Sequence, residues 1–243
     1  MSFLSRLTHP PRIESPELQT SDEIDAFIDS RALEYPTKIE DDFVQRAVRL
    51  GVDTGMILDV GTRVGLIPLK MLWNNENFYV IGMDTSGAMV ERARETAEAW
   101  GLDERAFFQV GDARKMRLKT AYFDMVICDS TLHVFDDPLA VLREINRVLK
   151  PKGALLIREL RRPNWFRMQG TVEEYSKLYG ARMRLHVQTA LHAAFTRSEF
   201  HALVQESGLE RVRISEPDEH HFLVERTGEA DPNSWIKARE QYL

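Results

Sequence analysis

ILDVGTRVGLIPL, residues 57–69, reads as a buried strand that runs into a tight glycine turn and then a helix. Ile57, Leu58 and Val60 supply the continuous apolar run of a parallel strand covered on both faces. Gly61 and Gly65 bracket the point where the backbone turns sharply and comes close to something. A helix starting near Gly65 aims its free amides at the same point. Asp59, the last acid of the strand, is ill placed for a phosphate and well placed for a cation, so the ligand expected here carries positive charge.

Two glycine patterns compete for this turn. A dinucleotide fold shows G-x-G-x-x-G, with its glycines easing a pyrophosphate onto the helix start; here the frame from Gly61 puts Arg63 and Leu66 where the other two glycines belong. The frame acid-x-Gly-x-Gly-x-Gly is matched by Asp59, Gly61 and Gly65, with Arg63 replacing the middle glycine. In that frame the chain resembles the class I S-adenosylmethionine (SAM) dependent methyltransferases.

Working outward, FYVIGMDTSGAMVERARETAEAW predicts a second strand ending in Asp84. It lies about 20 residues past the glycine turn, where Rossmann-like folds place the acid that grips a ribose diol. Thr85 and Met89 are expected to flank the ribose and adenine. AFFQVGDARKM predicts a third strand ending in Gly111 and Asp112, and YFDMVICDSTLHVFDDP a fourth, Phe123 to Cys128, with a loop holding His133 and, expected at the cofactor, Asp129 and Ser130. NRVLKPKGALLIREL reads as a helix end, a Lys-Pro-Lys-Gly turn and a fifth strand. The resemblance implies that Asp112 accepts from the adenine amine with Ala113 beside it. It covers roughly residues 15 to 226, and the flanking segments are similar to a bacterial subgroup of small methyltransferases.

At 243 residues the chain is long enough for one α/β domain with a sizeable core. Its formal charge of −6 argues against a nucleic-acid partner, which needs a basic surface. A single cysteine, Cys128, rules out an internal disulfide and fits a reducing cytoplasm. No apolar run approaches a membrane span, and the proline-bearing N-terminus lacks the apolar core of a signal peptide, so a cytoplasmic protein is expected.

The organisation follows from the same pattern. Residues 1–50 are an arm, loose to about 16, and two helices at about 21–31 and 38–50, the first capped by Thr20 or Ser21. Residues 51–226 form the SAM-binding domain: a doubly wound, mostly parallel seven-stranded sheet with helices on both faces, as the resemblance implies. A strandless segment at about 161–195 reads as a helical lid over the strand ends. Arg197 to Ser207 is a further helix stopped by Gly208, and ERVRIS and HHFLVER are two closing antiparallel strands. The tail, 227–243, is polar apart from Trp235, Ile236 and Leu243 and is expected to dock on the domain or on a second subunit, a homodimer being one arrangement.

A sulfonium methyl is already strongly electrophilic, so alignment, worth roughly 7–11 kcal/mol, and exclusion of water carry most of the chemistry. A hydroxyl acceptor also needs a base. His133, on the loop after the fourth strand, is the candidate; otherwise it packs against the cofactor or caps the helix near Asp136. Thr62 and Arg63 are expected to offer backbone contacts from the turn. Arg63 either crowds the methionine end of SAM or pairs with its carboxylate. Arg158, Arg161 and Arg162 leave the fifth strand, followed by Trp165, Tyr175, Tyr179 and His192. As a group they suggest a small anionic or aromatic acceptor; otherwise the arginines pair with Glu159, Glu173 and Glu174. The histidines lack a metal spacing, so no metal is expected. The product would be S-adenosylhomocysteine (SAH). A SAM-binding protein without catalysis, an RNA methyltransferase and an NAD-linked oxidoreductase are the rivals; the missing glycines argue against the last and the missing basic face against the second.

Overall fold

A computed structural model describes residues 9–13, 21–31 and 33–229. Most of the expected arm, the cap at Thr20 or the Ser21 side chain, and the tail residues Trp235, Ile236 and Leu243 lie outside the described residues.

Seven strands form one sheet in the order β3-β2-β1-β4-β5-β7-β6. They are β1 (Gly55–Val60), β2 (Phe78–Asp84), β3 (Ala106–Val110), β4 (Phe123–Asp129), β5 (Leu149–Leu160), β6 (Arg213–Ser215) and β7 (His221–Arg226). The first five run parallel, while β7 is antiparallel to both β5 and β6, as expected. Every residue of β1 is buried, because helices cover both faces and successive side chains alternate between them.

Ile57 joins one apolar layer and Leu58 the other. The first layer takes in α2 (Glu34–Val48), α3 (Leu66–Asn74) and α4 (Gly87–Ala99), through Phe43, Leu69 and Val90. The second takes in α5 (Pro138–Val148) and α8 (Arg197–Glu206), through Leu142 and Phe200. Burying each such side chain contributes about 1.5–3 kcal/mol before entropy is counted.

A third cluster sits over the strand ends. It joins α1 (Ser21–Arg31), α6 (Trp165–Leu178) and α7 (Arg184–Ala193) through Phe27, Val172, Tyr175 and Leu191, and reaches the glycine turn at Val64 and α4 at Met89. The expected lid is therefore two helices joined by a short 3-10 turn, Ala181–Met183, and it packs on α1 as well as on the sheet edge.

Local chemistry sets the helix starts. Asp137 caps α5 by accepting from the Ala140 amide, with Pro138 at the first helical position. Thr196 and Glu199 form a reciprocal capping box on α8. Two expectations shift. The second helix begins at Glu34 rather than 38. The Lys-Pro-Lys-Gly turn is absorbed into β5, where the register with β4 jumps from Phe123↔Leu149 to Met125↔Ala154, so the extra residues leave as a bulge instead of a separate turn.

Candidate active site

The sheet order reverses between β1 and β4, and in an open α/β sheet the crevice outside those strand ends receives the ligand. β1 delivers the glycine turn there and β4 delivers Ser130 to His133.

Gly61 holds φ +74°, and a Cβ on it would meet the Thr131 side chain at 2.3 Å. The turn is fastened by the Gly61 and Thr62 amides donating to the Met83 carbonyl, at 2.8 and 3.0 Å. The Arg63 amide donates to the Asp84 carboxylate at 2.8 Å and the Ser86 amide does so at 3.0 Å. Asp84 thus locks the turn of β1 to the end of β2 at the wall of the crevice. Arg63 itself is left-handed, φ +51°, a conformation that costs a residue with a Cβ about 1–2 kcal/mol. Its guanidinium crosses the crevice, its Nη2 donating to the carbonyls of Asp129 at 3.0 Å and Ser130 at 2.6 Å, and it rests over the Phe27 ring.

Two small cavities meet at that crossing. One, about 80 Å³, lies against the glycine turn and is lined by Asp84, Thr85, Met89, Gly111 and Ala113. The other, about 70 Å³, lies under the lid and is lined by Arg31, Asp129, Arg158, Tyr175, Tyr179 and Leu191. Phe27, Arg63, Ser130, His133 and His186 line both and form a waist between them. A larger cavity, about 820 Å³, is an open groove beside Trp73 and Trp100 on the outer surface of α2 to α4, and it is lined by none of the candidate residues.

His133 stands at the waist with a partner. Its Nδ1 is 2.7 Å from Glu159 Oε1, and neither side chain is more than 3 % exposed. Glu159 also accepts from the amides of Leu132 and Leu160, at 2.7 and 2.6 Å. A carboxylate already accepting two amides fixes the imidazole with its proton on Nδ1, which leaves Nε2 as the lone-pair nitrogen. Arg12 holds the loop from outside by donating to the carbonyls of His133, Phe135 and Ala193. His186, brought in by α7, is pushed down to about 4 by burial, with Arg63 and His133 adding to the effect, so it is neutral at pH 7.

Of the residues expected at the cofactor, Gly61, Arg63, Asp84, Thr85, Met89, Ala113 and Ser130 line the glycine-turn compartment. Asp59, Thr62 and Gly65 stand behind the turn rather than in it. Gly65 is the left-handed cap of α3 and packs against Phe108. Burial pushes Asp59 up to about 7, and the neighbouring Thr62 hydroxyl offsets part of that rise. Asp112 turns away, its carboxylate held by Arg114 at 2.9–3.2 Å on the exposed side of the loop. Asp129 faces the lid chamber instead, because Arg158 grips it through Nε and Nη2 at 2.7 and 2.9 Å. Burial would push the Asp129 carboxyl up, but Arg158, helped by Arg63, holds it well below the usual carboxylate range.

The expected acceptor residues divide in the same way. Tyr175 and Tyr179 line the lid chamber, stacked with centroids 5.9 Å apart. Arg158 lines it too, but with its charge already paired. Arg161 and Arg162 are drawn off to Glu216 and Glu199 rather than to Glu159, Glu173 or Glu174. Arg161 and His192 do not reach the chamber, and Trp165 is half exposed at the start of α6. Glu159, His186, Phe27 and Arg31 were not singled out from the sequence. Glu159 was legible only as a charge beside Arg158, and alternation along β5 sends the two to opposite faces.

A methyltransferase domain family matches residues 58–157. Over 187 residues the chain is 29 % identical to 27-O-demethylrifamycin SV methyltransferase of Amycolatopsis mediterranei, covering 76 % of this chain and 61 % of that protein. The chain spans less than two thirds of the length of that and the other leading curated relatives. A SAM dependent methyltransferase from Aquifex aeolicus superposes with a TM-score of 0.57 at 22 % identity, over 81 % of this chain and 91 % of that one. Phosphoethanolamine N-methyltransferase 2 of Haemonchus contortus, solved in complex with S-adenosyl-L-methionine, superposes with a TM-score of 0.63 at 18 % identity, over 82 % and 44 %. Residues 58–157 belong to the methyltransferase domain family, and the sheet around them is that of the class I S-adenosylmethionine-dependent methyltransferases.

Proposed function

We propose that the protein transfers the methyl group of SAM to a hydroxyl of a small, largely apolar and flat acceptor held under the lid. The observation that carries this reading is the waist itself: two compartments of different chemistry meet where His133 is held by Glu159.

The glycine-turn compartment suits an adenosyl ligand. Asp84 stands at the end of β2 for a ribose diol, Met83, Met89 and Ala113 offer apolar walls for a purine, and Asp59 lies behind the turn. SAM supplies a methyl carbon attached to a positively charged sulfur. The remaining work belongs to the chain. The lid and α1 exclude water, the stacked tyrosines and Leu160, Val187, Ala190 and Leu191 hold the acceptor, and Nε2 of His133 takes its proton as the oxygen attacks. Glu159 keeps the imidazole turned to the waist and stabilises it once charged. Because Arg158 is spent on Asp129 and Arg161 lies outside, the chamber favours an aromatic acceptor over a strongly anionic one.

The test is transfer of a labelled methyl from SAM to a panel of phenols, matched with the corresponding methyl ethers and carboxylic acids. Labelling of phenols that His133→Asn abolishes supports the reading. Tight SAM binding with no transfer to any hydroxyl would favour a SAM-binding protein without catalysis.

A further inference from the structure

We propose that Arg63 is a specificity residue that reads a carboxylate on the ligand of the glycine-turn compartment, and that it leaves the waist to do so. The inference rests on the SAM reading above and goes beyond it, since the residue stands where the resemblance calls for a glycine.

A guanidinium offers five donors in a planar fork, and both of its bidentate faces use Nη2. In Arg63 that nitrogen spends its two hydrogens on neutral carbonyls, those of Asp129 and Ser130. Among the described residues no hydrogen bond is made by Nε or Nη1. The cation is therefore parked on weak acceptors with the donors of Nε and Nη1 in reserve. A carboxylate forms a charge-assisted bidentate pair, roughly twice as strong per hydrogen bond as a neutral contact, so a ligand carrying one outcompetes the carbonyls. Taking Nη2 withdraws the guanidinium from the crossing between the two cavities. Those cavities, about 80 and 70 Å³, are each well short of the 300–1,000 Å³ usual for ligand sites, so a path between them must widen on loading. Phe27 flanks the guanidinium from α1, which couples the same movement to the lid cluster.

Calorimetric titration of the full chain with SAH, which bears the carboxylate, and with 5′-methylthioadenosine, which lacks it, tests the proposal. The native protein should bind SAH about 10- to 100-fold more tightly than methylthioadenosine. Arg63→Met should bring the two within about threefold of each other by weakening SAH alone, while Arg63→Lys, a point charge without the fork, should fall between. A melting curve for each variant confirms the folded state. Equal affinities in the native protein, or equal loss of both ligands in Arg63→Met, would overturn the proposal and leave the SAM reading standing. Binding of neither ligand would overturn both.

Discussion

The Nδ1 atom of His133 and the Oε1 atom of Glu159, 26 residues apart in sequence, meet at 2.7 Å where both side chains are buried. A histidine so oriented is built to accept a proton on its other nitrogen. His133→Asn is expected to lower kcat by about 10²- to 10⁴-fold, the range for a general base, with SAM affinity unchanged. Glu159→Gln should also lower kcat, by up to about 10⁴-fold, because an amide can donate to Nδ1 and leave Nε2 protonated. Steady-state kinetics alongside SAM titration separates the two effects. A drop in SAM affinity equal to the drop in kcat would assign the pair to cofactor packing.

Asp84 joins the turn of β1 to the helix after β2 through the Arg63 and Ser86 amides. Removing its carboxylate takes away charge-assisted hydrogen bonds, each worth about 1.5–3 kcal/mol. Asp84→Ala should therefore weaken SAM by about 10- to 100-fold, and Asp84→Asn, which keeps one acceptor for an amide, by less. Thermal melts of both variants distinguish a damaged turn from a lost ligand contact.

Asp129 and Arg158 form a buried bidentate pair, with Arg158 also donating to the Ile39 carbonyl and lying over Phe43. Breaking such a pair strands a charge and costs about 3–5 kcal/mol. Arg158→Met and Asp129→Leu should each destabilise the fold by that order, and the double variant by clearly less than their sum. A denaturant double-mutant cycle checks this, and additive losses would show that the two charges act independently.

Two buried groups pull stability in opposite directions with pH. Asp59 titrates near 7 in the fold against an ordinary 3.8, so the native state keeps a proton that the unfolded chain has lost, and stability falls as pH rises from about 4 to 7. His186 titrates near 4 against 6.5, so the unfolded chain binds a proton that the native state does not. Its contribution is present above about 6.5 and is lost as pH falls toward 4. Asp59→Asn should remove the first slope, stabilise the protein at pH 7 by up to about 4 kcal/mol, and leave stability rising with pH. His186→Gln should leave it falling. Melting temperatures at pH 5 and 7.5 read both signs.

What the sequence disclosed and what it hid differ by how far apart the partners lie. The strand, turn and helix of 57–69 and the acid ending the next strand are local patterns, and both appear where expected, with Asp84 facing the crevice. The dyad is not local. It depends on β4 and β5 pairing so that Asp129 meets Arg158, which places Glu159 one step farther, on the opposite face and under the His133 loop. The same alternation explains why Arg158 turns toward α2 and finds Asp129. Arg161 is expected in the chamber from its nearness to the strand end and His192 from its place in the segment that follows, but β5 ends at Leu160 and a bridge from Arg161 to Phe195 carries the chain away from the chamber. Asp112 has the expected position and a neighbour, Arg114, that rotates its carboxylate outward.

Whether the glycine-turn compartment takes an adenosyl sulfonium is read most directly by titrating the purified chain with SAM, with NADH as control and Asp84→Ala as variant. Micromolar SAM binding, weakened at least tenfold by the substitution and accompanied by silence from NADH, is the predicted result. A native protein that is free of copurified ligand, melts cooperatively and ignores SAM and SAH alike would contradict the account.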